Sequence, residues 1–213
     1  MQNADAYIEA HTTPATAAMD AAERWAHLHT AQPQMVCGPQ VGLLLRTLCR
    51  ATQARCAVEV GTFVGYSTLC IAQGLASGGR LHTFEVNDEL ETPIRRHLQA
   101  AGVSDRVTLH LGDACVLIPT LFNEKSRIID LAFIDAGKRQ NRDCYELLLP
   151  RMRQGGLIVV DNTLWYGKVL VPERDHDTDT HLIHSFNEWV QQDPRVENLM
   201  LNLRDGILIC SVL

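Results

Sequence analysis

The sequence lacks both a long apolar run and an excess of basic residues. Its 213 residues carry 19 Lys and Arg against 25 Asp and Glu, a formal charge of −6, so no broad cationic surface is expected for a phosphate backbone. No stretch approaches the roughly 18 apolar residues of a membrane span, and residues 1–18 lack a basic start followed by an apolar run. We therefore expect a cytoplasmic protein without a nucleic-acid or membrane partner.

The sequence also lacks any Cys-x-x-Cys pair, and its seven cysteines are scattered and odd in number. Neither a disulfide framework nor a zinc site fits such a distribution, so buried free thiols are expected. An apolar content of 46% is enough to bury the core of one domain over residues 1–213.

Short apolar runs alternate with amphipathic stretches after residue 55, which is typical of an α/β fold with a doubly wound, mostly parallel sheet. Helices are predicted at 18–29, 41–50, from 66, 88–101, 114–122, 142–149 and 181–192. The seven predicted strands are 56–60, 80–85, 107–111, 128–134, 157–161, 196–203 and 206–213. The last two are joined at Arg204-Asp205 and predict an antiparallel hairpin.

A glycine-containing turn, Glu59-Val-Gly-Thr-Phe-Val-Gly-Tyr-Ser67, follows the first predicted strand. Gly61 lets the backbone turn tightly beside a ligand, and Gly65 lets the next helix start close to the sheet. Glu85 ends the second strand, where its carboxylate could accept both hydroxyls of a ribose. This segment predicts a cofactor that contains a nucleoside.

The turn also distinguishes between cofactors, because it lacks the middle glycine of Gly-x-Gly-x-x-Gly, which admits a pyrophosphate. Glu59 would repel phosphate but could pair with the amino group or the sulfonium of a methionine moiety. Adenosine without phosphate is therefore favoured. An NAD-type dinucleotide-binding oxidoreductase is the alternative, as is a glycine turn that binds nothing.

Oxygen-bearing side chains follow the fourth and fifth predicted strands. Asp135 ends the fourth strand, and Asp161 and Asn162 end the fifth. Two carboxylates and an amide, without His or Cys, suit a hard cation such as Mg²⁺ that keeps open positions. Asp-Asn after a strand is also common as a plain turn, but its combination with Asp135 and Lys138 favours a metal site.

These residues resemble the cation-dependent O-methyltransferases, typified by catechol O-methyltransferase and the caffeoyl-CoA O-methyltransferases, with their bacterial relatives. The similarity runs from Met35 to Trp165 through the glycine turn, Asp135-Ala-Gly-Lys138, Tyr145-Glu-Leu-Leu-Leu-Pro150 and Gly155-Gly-Leu-Ile-Val-Val-Asp-Asn162, and it continues in Phe186-Asn187 and Asp193-Pro-Arg-Val196.

The resemblance implies a Rossmann-like class I methyltransferase fold, S-adenosylmethionine as cofactor and a homodimer. It also implies Mg²⁺, or another divalent cation such as Mn²⁺ or Ca²⁺, and a catechol-like phenolic small molecule as acceptor. Residues 1–54 would form a helical segment that covers the cofactor and acceptor site.

Individual roles follow from the same resemblance. Asp135 and Lys138 would be catalytic, with Lys138 either removing the acceptor's proton or stabilising the phenolate. Asp135, Asp161 and Asn162 would bind the metal, and Lys138 and Asn162 would face the acceptor. Apart from the resemblance, Trp165 follows the Asp-Asn pair and could form an aromatic wall for the acceptor, with ordinary packing as the alternative. The residues around S-adenosylmethionine would be Cys37, Glu59, Gly61, Phe63, Gly65, Ser67, Glu85, Ala114 and Asp135.

One position departs from the family pattern, because many relatives carry Asp where this chain has Gly137. A carboxylate that could touch the cofactor is therefore absent, and a non-catalytic member of the fold is a further alternative. A nitrogen methyltransferase is disfavoured, since no Asp/Asn-Pro-Pro-Tyr follows the fourth strand. Asp177 to Thr180 is interpreted as the cap and first turn of a helix rather than a second metal site.

Overall fold

A computed structural model of the chain describes residues 4–123 and 128–213, and its centre is a seven-stranded sheet. The strands are β1 (Cys56–Val60), β2 (Arg80–Glu85), β3 (Val107–Leu111), β4 (Ile129–Ile134), β5 (Met152–Asp161), β6 (Val196–Leu201) and β7 (Ile207–Val212). Their order is β3-β2-β1-β4-β5-β7-β6, parallel from β3 to β5, with β7 antiparallel to both its neighbours. The predicted fold class and C-terminal hairpin are confirmed.

Helices cover both faces of the sheet. The described residues form α1 (Ala4–Ala10), α2 (Ala17–His29), α3 (Gly38–Ala51), α4 (Tyr66–Gly74), α5 (Glu91–Ala100), α6 (Ala114–Leu121), α7 (Asn141–Leu148) and α8 (Thr178–Gln191). One apolar layer lies between the sheet and α2 to α5, and the other lies between the sheet and α6 to α8. In α3, for example, Val41, Leu45 and Cys49 recur every four residues and are fully buried.

Several element boundaries differ from the sequence prediction, and α1 was not predicted. β5 begins five residues before the predicted start. Its pairing with β4 is irregular around Gly155 (φ +71°), and the strand continues through this irregularity. α8 begins at Thr178 instead of residue 181, since the Asp177 side chain accepts the Thr180 N–H at 2.8 Å. The cap role predicted for Asp177 is confirmed.

The seven cysteines are all free, as predicted. Five of them are buried, so they pack as small apolar side chains. Within residues 4–123 and 128–213, no helix combines the length and apolarity needed to cross a lipid bilayer.

The turn after β1 is packed tightly against the end of β4. Gly61 has φ +98°, and a Cβ atom at this position would lie 2.2 Å from the Asp135 carbonyl oxygen. Asp135 N–H donates to the Val60 carbonyl at 2.9 Å, and Gly61 N–H donates to the Phe84 carbonyl at 3.1 Å. The carboxyl ends of β1, β2 and β4 are therefore held together at one edge of the sheet.

We expect Gly61→Ala to destabilise the protein more than Gly78→Ala, the matched control. Gly78 has φ +73° but an open surrounding, with no atom of the described residues within 4 Å of an added Cβ. The control should lose about 1 kcal/mol of unfolding free energy from backbone strain alone, and Gly61→Ala about 3 kcal/mol. Urea unfolding would measure both values. Equal losses would contradict the close approach of Gly61 to β4.

Candidate active site

A pocket lies at the carboxyl edge of the sheet, between the glycine turn and the chain that leads into α3. It is lined by Met35, Val36, Cys37, Gly61, Thr62, Phe63, Val64, Tyr66, Ser67 and Asp135. Five of the residues predicted to surround a cofactor, namely Cys37, Gly61, Phe63, Ser67 and Asp135, therefore line one pocket. Four others, Glu59, Gly65, Glu85 and Ala114, are outside its lining.

Glu59 is fully buried in β1. Its Oε2 accepts hydrogen bonds from the hydroxyls of Thr68 at 2.5 Å and Thr83 at 2.6 Å. Among the described residues, Oε1 has no well-formed hydrogen bond. Burial raises the pKa of Glu59 to about 7, although hydrogen bonding by Ser67, Thr68 and Thr83 lowers it. Oε1 is thus a buried acceptor that a cationic or N–H donor could satisfy.

Glu85 connects the glycine turn to the end of β2. Its Oε2 accepts the Phe63 N–H at 2.7 Å, and its Oε1 accepts the Asn87 N–H at 2.9 Å. Phe63 is held at φ +48° and Gly65 at φ +87°, which is the N-cap of α4. The Glu85 carboxylate therefore shapes the turn that forms the pocket wall, and it keeps lone pairs for a further donor.

Ala114 is the first residue of α6 and is buried. The residue before it, Asp113, caps the helix by accepting the Cys115 N–H at 2.8 Å. The Gln140 amide donates to the other Asp113 oxygen at 3.3 Å. Sequence reasoning missed Asp113 and Gln140. The capping signal of an Asp directly before a helix could have identified Asp113.

Asp135 and Asp161 form a pair of mostly buried carboxyl groups at the ends of β4 and β5. Burial, together with the charge of the neighbouring Asp161, raises the pKa of Asp135 to about 7. Burial likewise raises the pKa of Asp161, while the positive charges of Lys138 and Arg204 lower it. The pair therefore resists full ionisation unless further positive charge arrives.

Lys138 and Asn162 lie beside this pair. Lys138 Nζ donates to Asn162 Oδ1 at 2.7 Å and lies 5.3 Å from the centre of the Trp165 ring. Asn162 adopts φ +60°, and its N–H donates to Asp161 Oδ1 at 2.6 Å. The structure thus brings together Lys138, Asn162 and Trp165, the three residues predicted to face an acceptor.

The donor set fits a hard divalent cation in its chemistry. It contains two carboxylates and an amide oxygen, which are the ligands that Mg²⁺ accepts in proteins. In the described parts of the chain, no group of three or more His, Cys, Asp or Glu side chains is arranged to hold a metal ion. Any such ion here would therefore depend on Asn162 and on water or substrate for its remaining ligands.

Other contributors to the pocket were missed by the sequence analysis. Thr62, Val64 and Tyr66 line it from within the glycine turn, and Met35 and Val36 line it from the segment before α3. Arg204, in the turn between β6 and β7, donates from Nη1 to the Val36 carbonyl at 3.0 Å. Its sequence neighbours carry no signal for a contact with the N-terminal part of the chain.

Known proteins match most of this chain. The family model described as O-methyltransferase matches residues 11–213. A caffeoyl-CoA O-methyltransferase of Populus kitakamiensis is 34% identical over 79% of this chain and 74% of its own length. A flavonoid 3',5'-methyltransferase of Vitis vinifera is 31% identical over 79% and 75%.

Two solved structures are similar over nearly the whole chain. The O-methyltransferase TomG of Streptomyces achromogenes, in complex with S-adenosylmethionine (SAM), superposes with a TM-score of 0.88, 29% identity and coverage of 98% of this chain and 95% of that one. An O-methyltransferase of Bacillus cereus in complex with S-adenosylhomocysteine (SAH) also has a TM-score of 0.88, with 29% identity and coverage of 98% and 96%.

The buried Glu59 carboxyl should make stability depend on pH. Its pKa of about 7 in the folded protein lies above the ordinary value of 4.5. The unfolded chain therefore releases this proton at lower pH, so Glu59 should reduce stability progressively as pH rises from about 4.5 to about 7, by on the order of 2–3 kcal/mol. Urea unfolding of the cofactor-free protein between pH 4.5 and 8 would measure this loss.

Glu59→Gln should make the stability curve shallower over this window, since position 59 then has no proton to release, while Asp135 keeps its own contribution to the slope. The exposed Glu89 supplies the matched control, and Glu89→Gln should keep the slope of the unsubstituted protein. Parallel curves for all three proteins would contradict the raised pKa of Glu59.

Proposed function

The chain belongs to the O-methyltransferase family, and we propose that it transfers the methyl group of SAM to a phenolic oxygen of a small vicinal-diol acceptor, with the help of a divalent cation. The position of Asp135 is the observation that most directly supports this proposal. Asp135 lines the cofactor pocket and also pairs with Asp161 beside Asn162 and Lys138. One residue thus joins a place for the cofactor to a place for the acceptor.

We assign the cofactor to the pocket between the glycine turn and the α3 entry. Gly61, Phe63, Ser67 and Cys37 would form its walls. Glu59 Oε1, which has no well-formed hydrogen bond among the described residues, would accept from the cationic end of the methionine moiety. Glu85 and Gly65 would support the ribose side, and the backbone at Ala114 would flank the adenine. The SAM and SAH named in the two similar structures support this assignment.

We assign the divalent cation to Asp135, Asp161 and Asn162, with Mg²⁺ as the first candidate and Mn²⁺ or Ca²⁺ as alternatives. Both carboxyls have raised pKa values, so they gain most from a nearby positive charge. When bound, such an ion would hold two vicinal oxygens and lower the pKa of the hydroxyl. Asn162 Oδ1 would have to exchange its hydrogen bond from Lys138 for the ion.

The protein's own part in the reaction is alignment and proton transfer. Methyl transfer is an in-line displacement, so the acceptor oxygen must lie opposite the leaving sulfur, and fixing both partners contributes most of the rate. Once released from Asn162, the Lys138 amine could accept the hydroxyl proton or stabilise the phenolate as a cation. The Trp165 ring, 5.3 Å from Lys138 Nζ, would form a wall for a flat acceptor.

A phenolic acceptor is supported by the names of the caffeoyl-CoA and flavonoid methyltransferase relatives. The proposal further includes a cytoplasmic homodimer in which residues 1–54 cover the site. A dinucleotide oxidoreductase is not favoured, because the family model covers residues 11–213.

The metal part of the proposal can be tested by chelation. With SAM and caffeic acid or a simple catechol, we expect methyl transfer that requires Mg²⁺, stops on addition of EDTA and returns with excess Mg²⁺. Asp161→Ala should lower kcat/KM by at least about a hundredfold. Asp105→Ala, at an exposed acid on the opposite edge of the sheet, should match the unsubstituted enzyme. Full activity in EDTA would rule out the metal.

Lys138 can be tested separately from cofactor binding. Lys138→Met should lower kcat by about 10²- to 10⁴-fold, the usual contribution of a positioned acid or base, with SAH affinity unchanged by calorimetry. The exposed Lys168 offers a matched control, and Lys168→Met should retain kcat. A Lys138→Met enzyme with normal kcat would remove Lys138 from the proposed chemistry.

A further inference from the structure

We propose that Arg204 is a positioning residue that fastens the segment Met35–Gly38 over the cofactor pocket. The inference rests on the proposed function, because the pocket beside this segment is the one assigned there to the cofactor. Arg204 comes from the opposite end of the chain, in the turn between β6 and β7.

The backbone of Arg204 is in a conformation that favours glycine. Its φ is +49°, in the left-handed region that costs residues with a Cβ some conformational energy. A glycine would form this turn without that cost. Glycine, however, would lack the side chain that reaches the N-terminal segment.

The guanidinium makes two specific contacts with the N-terminal segment. Nη1 donates to the Val36 carbonyl at 3.0 Å. The group also packs on Gly38, where an added Cβ would lie 2.2 Å from Nη1 and 3.3 Å from Cζ. Gly38 has φ +75°, so both its conformation and the space beside it require glycine. Positions 204 and 38 are therefore matched in shape, and the Val36 carbonyl supplies the hydrogen bond.

The segment held in this way forms one wall of the pocket. Met35, Val36 and Cys37 line it opposite Gly61 and Ser67. The segment ends at the first residue of α3 and begins in a 3₁₀ turn, in which the Val36 N–H donates to the Pro33 carbonyl at 3.2 Å. Without the Arg204 contacts this segment would be less ordered. Cofactor binding would then have to order it, and that entropic cost would weaken the affinity.

A charge effect is the rival explanation, because the Arg204 cation also acts on Asp135 and Asp161. Arg204→Lys separates the two. It keeps the positive charge but loses the planar group that lies on Gly38 and bonds to Val36.

The experiment measures SAH binding by calorimetry in metal-free buffer without acceptor, together with steady-state kinetics. We expect Arg204→Gly to weaken SAH binding about tenfold, as loss of one charge-assisted hydrogen bond would. KM for SAM should rise by a similar factor, with kcat within about twofold and the melting temperature not lowered. Arg204→Lys should recover only part of the affinity.

Gln53→Gly is the matched control. Gln53 also has φ +51° and is exposed, but it lies before β1 and away from the pocket. Gln53→Gly relieves the same kind of backbone strain at a position away from the pocket. It should therefore leave SAH affinity unchanged. Gly38→Ala should weaken binding much as Arg204→Gly does, and the double variant should be no weaker than the poorer single variant, because both changes break one contact.

Unchanged SAH affinity in Arg204→Gly would overturn the inference, and so would full recovery in Arg204→Lys or a rise in KM for the acceptor alone. Amide hydrogen exchange of Met35 and Val36 gives a readout that needs no cofactor, and it should accelerate in Arg204→Gly but not in Gln53→Gly. An unsubstituted protein that fails to bind SAH would contradict the proposed function. In that case the exchange rates alone would decide whether Arg204 holds the segment.

Discussion

The close contact between Gly61 and the Asp135 carbonyl is the constraint on which the site depends. Because Gly61 has no Cβ, the turn after β1 can lie directly against the end of β4. That approach brings the pocket wall formed by Phe63 and Ser67 to the same edge as Asp135. A larger residue at position 61 would separate the place for the cofactor from the acid pair.

A second constraint is the concentration of buried acid at this edge. Glu59 and Asp161 are buried and Asp135 is partly buried, and burial raises the pKa of each. The hydrogen bonds at this edge do not fully compensate for the burial of these acids, since Glu59 Oε1 has no well-formed hydrogen bond among the described residues. Buried groups of this kind are expected where a ligand supplies the missing positive charge.

Prediction from sequence succeeded where the signal was local. The bounds of β1, β2 and β3 agree with the structure, because each is a short apolar run that ends at a glycine or polar turn. β5 starts earlier than predicted because the glycine pair at 155 and 156 is part of the strand, whereas the predicted strand begins after that pair, at residue 157. The Glu59–Ser67 turn was found by its spacing, and five of the residues predicted around a cofactor do line the pocket.

The sequence by itself determined the order of strands and helices along the sheet-forming part of the chain, because periodicity reveals them. It also determined that Gly61, Asp135 and Asp161 lie at one edge of the sheet, because each follows or ends a strand and parallel strands end at the same edge. Only the tertiary structure decided which side chains close the pocket. The Arg204 guanidinium and the Val36 carbonyl are 168 residues apart in the chain. Their contact arises from how the C-terminal hairpin packs beside β5, and no local pattern near either residue carries that information.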